Sequence, residues 1–269
     1  MKKLATALVS AAAIMTMSTT AFAAENPAEV FDRVMEKNNT IQSADIQSGV
    51  HSVILAKDVI PDGQMKVDMA MHAEMDMQDT TDLKYLAQVA SSILGQDSYS
   101  QVFYTDGYYY VDANGVKLKY PMPLEQIISS VQTGVNTSNM ESSYMKGISL
   151  NEVNGKRVLA YEANPKKLNK NVKEALGTVM NTLGTDVNLD MNIQEMKGAY
   201  VLDDNDYIIY MTNYIVYNME VLDQPMTCIT LMETEVQNPG EPVVVTLPST
   251  DGYEDLIGLY DGVIESEVE

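Results

Sequence analysis

The chain has 269 residues, with 17 lysines and arginines against 38 aspartates and glutamates, for a formal net charge of −21. That balance excludes nucleic acid and anionic membrane surfaces as general partners, because long-range repulsion opposes the encounter. The single cysteine, Cys228, excludes an intrachain disulfide, so stability must come from a packed core, for which this length is ample.

Lys2 and Lys3, the apolar stretch Leu4 to Met17 and the small-x-small triplet Ala21-Phe22-Ala23 read as a secretory signal peptide over residues 1–23. The apolar stretch is short for a spanning helix, and no later segment is long and apolar enough to be one. No cysteine stands near the cleavage site, so no lipobox and no lipid anchor are expected. The expected product is secreted and extracytoplasmic, starts at Ala24 and has no transmembrane segment. Without Lys2 and Lys3 its net charge is −23.

Asn26 to Asn38 reads as an amphipathic helix, capped by Asn26 and presenting Val30, Phe31, Val34 and Met35 on one face. Residues 45–57 and 64–78 read as strands joined by Pro61-Asp62-Gly63. Leu83 to Leu94 reads as a helix or as a loop crossing the sheet. Three strands follow, 99–104, 108–112 and 116–120, joined by tight turns at Thr105-Asp106-Gly107 and Ala113-Asn114-Gly115. Leu124, Ile127, Ile128 and Val131 give a helical stripe.

A hairpin over 144–153 and 156–163 turns at Asn154-Gly155, and Asn164-Pro165 opens the longest helix, to about Leu183. Strands at 186–202, 207–221 and 226–237 complete the core. Cys228 lies within the last of these and reads as a buried, hydrophobe-like thiol. A short apolar run, Val243 to Leu247, precedes an acidic tail that reads as a weak helix or as disorder. The expected fold is α+β: an open antiparallel β half-barrel of about ten strands with helices packed on its concave face. Residues 24–248 form one domain on this reading, followed by the tail at 249–269.

Residues 65–77 carry the most distinctive pattern. Met65, Val67, Met69, Met71, Ala73, Met75 and Met77 alternate with Lys66, Asp68, Ala70, His72, Glu74 and Asp76. Strict period-two alternation gives a strand with one dry and one wet face. The dry face is mostly methionine, which is unbranched and polarizable and fits changeable apolar space better than it defines a rigid core. Met65, Val67, Met69, Met71, Met75 and Met77, with Leu189, Met191 and Ile193, are therefore the candidate lining of a hydrophobic ligand site. The helix from Pro165 to Leu183 is its candidate lid.

The order of parts resembles the LolA/LolB-like and LppX/LprG-like lipoprotein superfamily, in its poorly characterised Gram-positive branch. The resemblance rests on the leading helix with Val30-Phe31 and Val34-Met35, and on the long strands behind it. It also rests on the aromatic segment Tyr104 to Lys119 with Pro121-Met122-Pro123, and on the closing Val243 to Pro248, similar to a final strand. It implies an open half-barrel that holds helices and acyl chains on its concave face. The chain departs from the lipoprotein members in lacking a lipobox cysteine, and no binding residue transfers position by position.

Catalytic signatures are missing from the sequence: there is no Gly-x-Ser-x-Gly elbow, no phosphate-binding glycine loop, and only His51 and His72 as imidazoles. The expected function is non-catalytic and needs no cofactor: an exported protein binding a lipid or acylated molecule in a Met-rich concave cavity. The alternative is a cell-envelope module with a filled core that binds another envelope protein. A third reading is Cu(I) binding through Met69-x-Met71 and Met75-x-Met77, since thioethers favour that ion, although alternation turns His72 to the other face. The six cations Lys156, Arg157, Lys166, Lys167, Lys170 and Lys173 read as a solvated face or as an anchor for an anionic head group. Asp203 to Asp206 reads as a strand-connecting turn rather than a calcium loop.

Overall fold

The computed structural model describes residues 25–56, 60, 62–79, 83–126, 140–170, 191–221 and 224–256. Helix α1 (Pro27–Asn38) precedes strands β1 (Ser43–Leu55), β2 (Gln64–Asp76), β3 (Lys84–Ile93) and β4 (Gln96–Thr105). Strands β5 (Tyr108–Ala113) and β6 (Val116–Pro121) follow, then β7 (Met145–Val153) and β8 (Lys156–Ala163). The last are β9 (Met191–Leu202), β10 (Ile208–Val221), β11 (Gln224–Gln237) and the two-residue β12 (Glu254–Asp255). Among the described residues these twelve strands make one sheet in the order β12-β6-β5-β4-β3-β2-β1-β11-β10-β9-β8-β7. The end strands β12 and β7 do not meet, so the sheet is open and the fold is of the half-barrel class.

Four hairpins turn on two residues with positive φ: Leu94-Gly95, Asp106-Gly107, Asn114-Gly115 and Asn154-Gly155. That pair of left-handed residues is the type I′ geometry whose twist matches the flanking strands. Leu94-Gly95 explains a correction. Residues 83–94 are neither helix nor crossing loop but strand β3, paired antiparallel with β4 from Tyr85↔Tyr104 to Ile93↔Gln96. Leu83, Leu86, Ala90 and Ile93 recur at helical spacing, but pairing with neighbouring strands overrides that local preference.

In the acidic tail, Glu254 and Asp255 pair parallel with Leu118 and Lys119 of β6, and residues 257–269 lie outside the described residues. A second correction concerns Val243 to Leu247, which forms no strand; it lies alongside the sheet and buries Val245. The long helix opens as expected over residues 165–170, where the Asn164 side chain accepts the Lys166 amide at 3.1 Å. Its continuation to Leu183, the start of the strand expected from 186, and residues 127–139 lie outside the described residues.

The chain divides into two compact units, with β1 and β2 contributing to both. In the first unit α1 lies on the sheet. Asn26 caps it, its Oδ1 accepting the Ala28 amide at 3.1 Å, and Pro27 occupies the first turn. Val30, Phe31 and Val34 are fully buried against Leu150, Leu159, Tyr161, Tyr200 and Leu202. Burial of each such side chain favours folding by roughly 1.5–3 kcal/mol.

Polar groups fix the helix register. Asp32 accepts the Ser142 amide at 2.7 Å and its hydroxyl at 2.6 Å. The Asn38 side chain donates to Asp206 O and accepts the Ile208 amide. Arg33 and Arg157 both reach Asp206 and Glu25. Burial alone would raise the Asp206 pKa, but hydrogen bonds from Arg33 and Arg157 outweigh it and hold the carboxyl below its ordinary value.

In the second unit, strand alternation places aromatic rows on both faces. Tyr85, Tyr104 and Tyr109 stand in register on one face, and Leu86, Phe103 and Tyr110 on the other. The first row packs with Ala44, Met75, Met77 and Leu83. In the second, Phe103 stacks on Tyr110 at 4.6 Å, and Tyr253 meets Phe103 edge-on at 5.6 Å. Ser43 Oγ donates to Met75 O and accepts the Val243 amide, which docks the closing segment.

Candidate functional site

Strands β9, β10 and β11 of the first unit run in registers that line up side chains in rows. Met191, Met219 and Met226 form one row, and Ile193, Tyr217 and Cys228 the next. Met196, Ile215 and Thr230 form the third. Beyond it, Asn213 faces Gly198, and Met211 faces Tyr200 in the core beneath α1. One continuous face therefore runs from a helix-covered core to a row of three methionines, all half-buried.

Side-chain bonds extend this face onto β1 and β2. Ser52 Oγ lies 2.9 Å from Thr230 Oγ1, so these two share a face. On the opposite face, His51 Nδ1 lies 2.7 Å from Asp68 Oδ1. Alternation then puts Met65 and Val67, both half-buried, on the methionine side.

Cys228 is buried, as expected, with its Sγ 3.7 Å from Met219 Sδ. Burial pushes the thiol pKa up, away from the thiolate form a nucleophile requires.

The structure places the candidate lining as follows. Met65, Val67, Met191 and Ile193 belong to the first unit, and Ile193 is buried in its core. Met69 is 39% exposed and Met71 half-buried, both in the second unit. Met75 and Met77 are 3% and 4% exposed, packed among Ala44, Leu83 and Tyr104. Leu189 lies outside the described residues. Sequence reasoning missed Met219 and Met226 as row partners of Met191, because a register across three strands is not visible in any one of them.

Beside Asn213 the face is polar and closed. The Tyr161 hydroxyl donates to Asn213 Oδ1, and the Tyr200 hydroxyl donates to Tyr161 at 3.4 Å. Burial pushes the Tyr200 phenol up to about 12 and raises that of Tyr161 well above its ordinary value.

Two carboxylate-rich places bear on metal binding. In the loop after β9, Asp203 Oδ1 accepts the Asn205 and Tyr207 amides at 2.8 Å, and Asp206 is held by two guanidinium groups. That loop is a turn tied to α1, not an open cation site. On β1 and β2, His72 Nε2 lies 2.9 Å from Asp45 Oδ1 and 3.8 Å from Glu74 Oε1. All three ligand atoms lie within 4.8 Å of one another.

Fold and face together define an open antiparallel sheet protein with an apolar, methionine-bearing surface. The chain belongs to a family of unknown function, DUF6612, whose model matches residues 26–248. The comparison with curated proteins returned no match. Among solved structures the chain is similar to LprF from Mycobacterium bovis, with 8% identity, TM-score 0.36, and 83% of this chain and 97% of LprF covered. It is also similar to the lipoprotein LppX from Mycobacterium tuberculosis, with 9% identity, TM-score 0.35, and 82% of this chain and 100% of LppX covered. A β-barrel-like protein from Brucella abortus matches with 12% identity and TM-score 0.22 over 72% of this chain and 98% of that one. Among the described residues no helix is long and apolar enough to cross a membrane.

Proposed function

We propose that this protein is exported by a cleaved signal peptide over residues 1–23. It acts without catalysis, binding a hydrophobic ligand, a lipid or an acylated molecule, on the methionine face of its first unit. The observation that supports this reading is the in-register row Met191, Met219 and Met226, half-buried at the far end of a face whose other end is packed under α1. Met65 and Val67 extend the row's apolar side. Each 100 Å² of apolar surface covered contributes about 2.5 kcal/mol, so an acyl chain gains several kcal/mol without polar contacts. Thioethers adapt to such a chain without fixing its length.

The filled-core interaction module remains the second reading. The burial of Met75 and Met77 among Ala44, Leu83 and Tyr104 favours it for the second unit.

A titration with a fluorescent fatty acid separates the two. The exported protein should take up the probe, and Met219→Asp or Met226→Asp should weaken uptake at least tenfold. Val244→Asp, at an exposed position of the second unit, should leave it unchanged. Equal uptake by folded Met219→Asp would sink the assignment.

A further inference from the structure

We propose that Asp45, His72 and Glu74 form a divalent-cation site, and that Zn²⁺ is the ion its donors and spacing fit. The register of the first hairpin is the starting point. The Met77 amide donates to Gln42 O at 2.7 Å, and the Ala56 amide donates to Gly63 O at 3.0 Å. The two pairs have the same sum of positions, so the register is unbroken between them and Asp45 stands directly opposite Glu74. Two carboxylates facing each other across a ladder repel, in a chain whose net charge is already −21. Among the described residues no lysine or arginine makes an ion pair with either. The group placed between them is His72, two residues from Glu74 on the same face of β2.

One imidazole nitrogen and two carboxylate oxygens make a mixed nitrogen–oxygen donor set, which suits a first-row divalent ion such as Zn²⁺. Ligand atoms around tetrahedral zinc stand about 3.3–3.5 Å apart, from bonds of about 2.0–2.2 Å. The separations of 2.9 Å and 3.8 Å from His72 Nε2 bracket that spacing. All three residues project from regular strands, which hold ligands more firmly than loops do, and all three are half-buried. Three protein ligands leave a fourth position for water. The thioethers of Met69, Met71 and Met75 lie on the opposite face of β2, so this is not the soft-ligand copper arrangement that the Met-x-Met spacing suggests.

The test is calorimetric titration of the exported protein with zinc chloride after chelator treatment, paired with thermal unfolding with and without the ion. The wild type should bind one equivalent and unfold at a higher temperature when loaded. His72→Ala, Asp45→Asn and Glu74→Gln should each weaken binding at least tenfold and remove the thermal shift. His51→Ala, at the other imidazole–carboxylate pair of this hairpin, should leave both unchanged. The two carboxamide variants keep side-chain size, so the test stands even where His72→Ala fails to fold. No binding by the wild type, or equal binding by Glu74→Gln and Asp45→Asn, overturns the proposal and leaves the imidazole as the bridge between the carboxylates.

Discussion

Replacing Gly198 with alanine tests the packing that fixes the first unit. A Cβ at this position would lie 2.5 Å from both Asn213 Oδ1 and the Thr212 carbonyl oxygen, and 2.8 Å from the Tyr161 hydroxyl. The carbonyl belongs to the adjacent β10 ladder and cannot swing aside as a side chain can. Overpacking of this kind costs about 1–3 kcal/mol. Displacing Asn213 from Tyr161 leaves buried polar groups without partners, at about 1–3 kcal/mol more. The expected loss is therefore about 2–6 kcal/mol, read as a lower urea midpoint at unchanged slope.

Gly147→Ala is the control, because nothing lies within 4 Å of a Cβ there, and it should stay within about 0.5 kcal/mol of wild type. In a Tyr161→Phe background the cost of Gly198→Ala should shrink, since part of the clash is already gone. A loss below about 1 kcal/mol, or one equal to that of Gly147→Ala, refutes the reasoning.

Phe31→Ala should cost about 3–5 kcal/mol in the same assay, because its ring is fully buried and meets Tyr161 edge-on at 5.7 Å. Asp206 has a lowered folded pKa, so its contribution is present above the unfolded carboxylate range and is lost as pH falls through the folded value. Asp206→Asn should thus flatten the acid limb of a stability–pH curve below about pH 4 and lower stability at neutral pH. Tyr109 and Tyr200 are pushed up to about 12, chiefly by burial. The stability they contribute is full below the ordinary phenol value near 10 and is lost as pH rises through about 12. Ultraviolet titration should show these phenols ionising only near that value or together with unfolding.

The elements that sequence made legible are those with local causes. The cap at Asn26, the alternation of β2 and the Asn-Gly and Asp-Gly turns each act within a few residues, and each is found where it was expected. Strand β3 was obscured because Leu83, Leu86, Ala90 and Ile93 fit a helical face, and only pairing with its neighbours decides it. The two-residue β12 exists only through its pairing with β6.

The candidate site divides the same way. Alternation gives the side to which Met65 and His72 point. It does not give what stands opposite: Glu74 falls on the wet face of the alternation, and only the register sets it against Asp45 and His72. The row Met191, Met219 and Met226 likewise follows from registers across three strands.

The most direct test of ligand binding is native mass spectrometry of the purified protein, before and after organic extraction. The expected result is a co-purifying lipid-sized mass that extraction removes and that returns when the extract is added back. A bare protein mass before extraction, with no mass gained on adding the extract, would contradict it and favour the filled-core module.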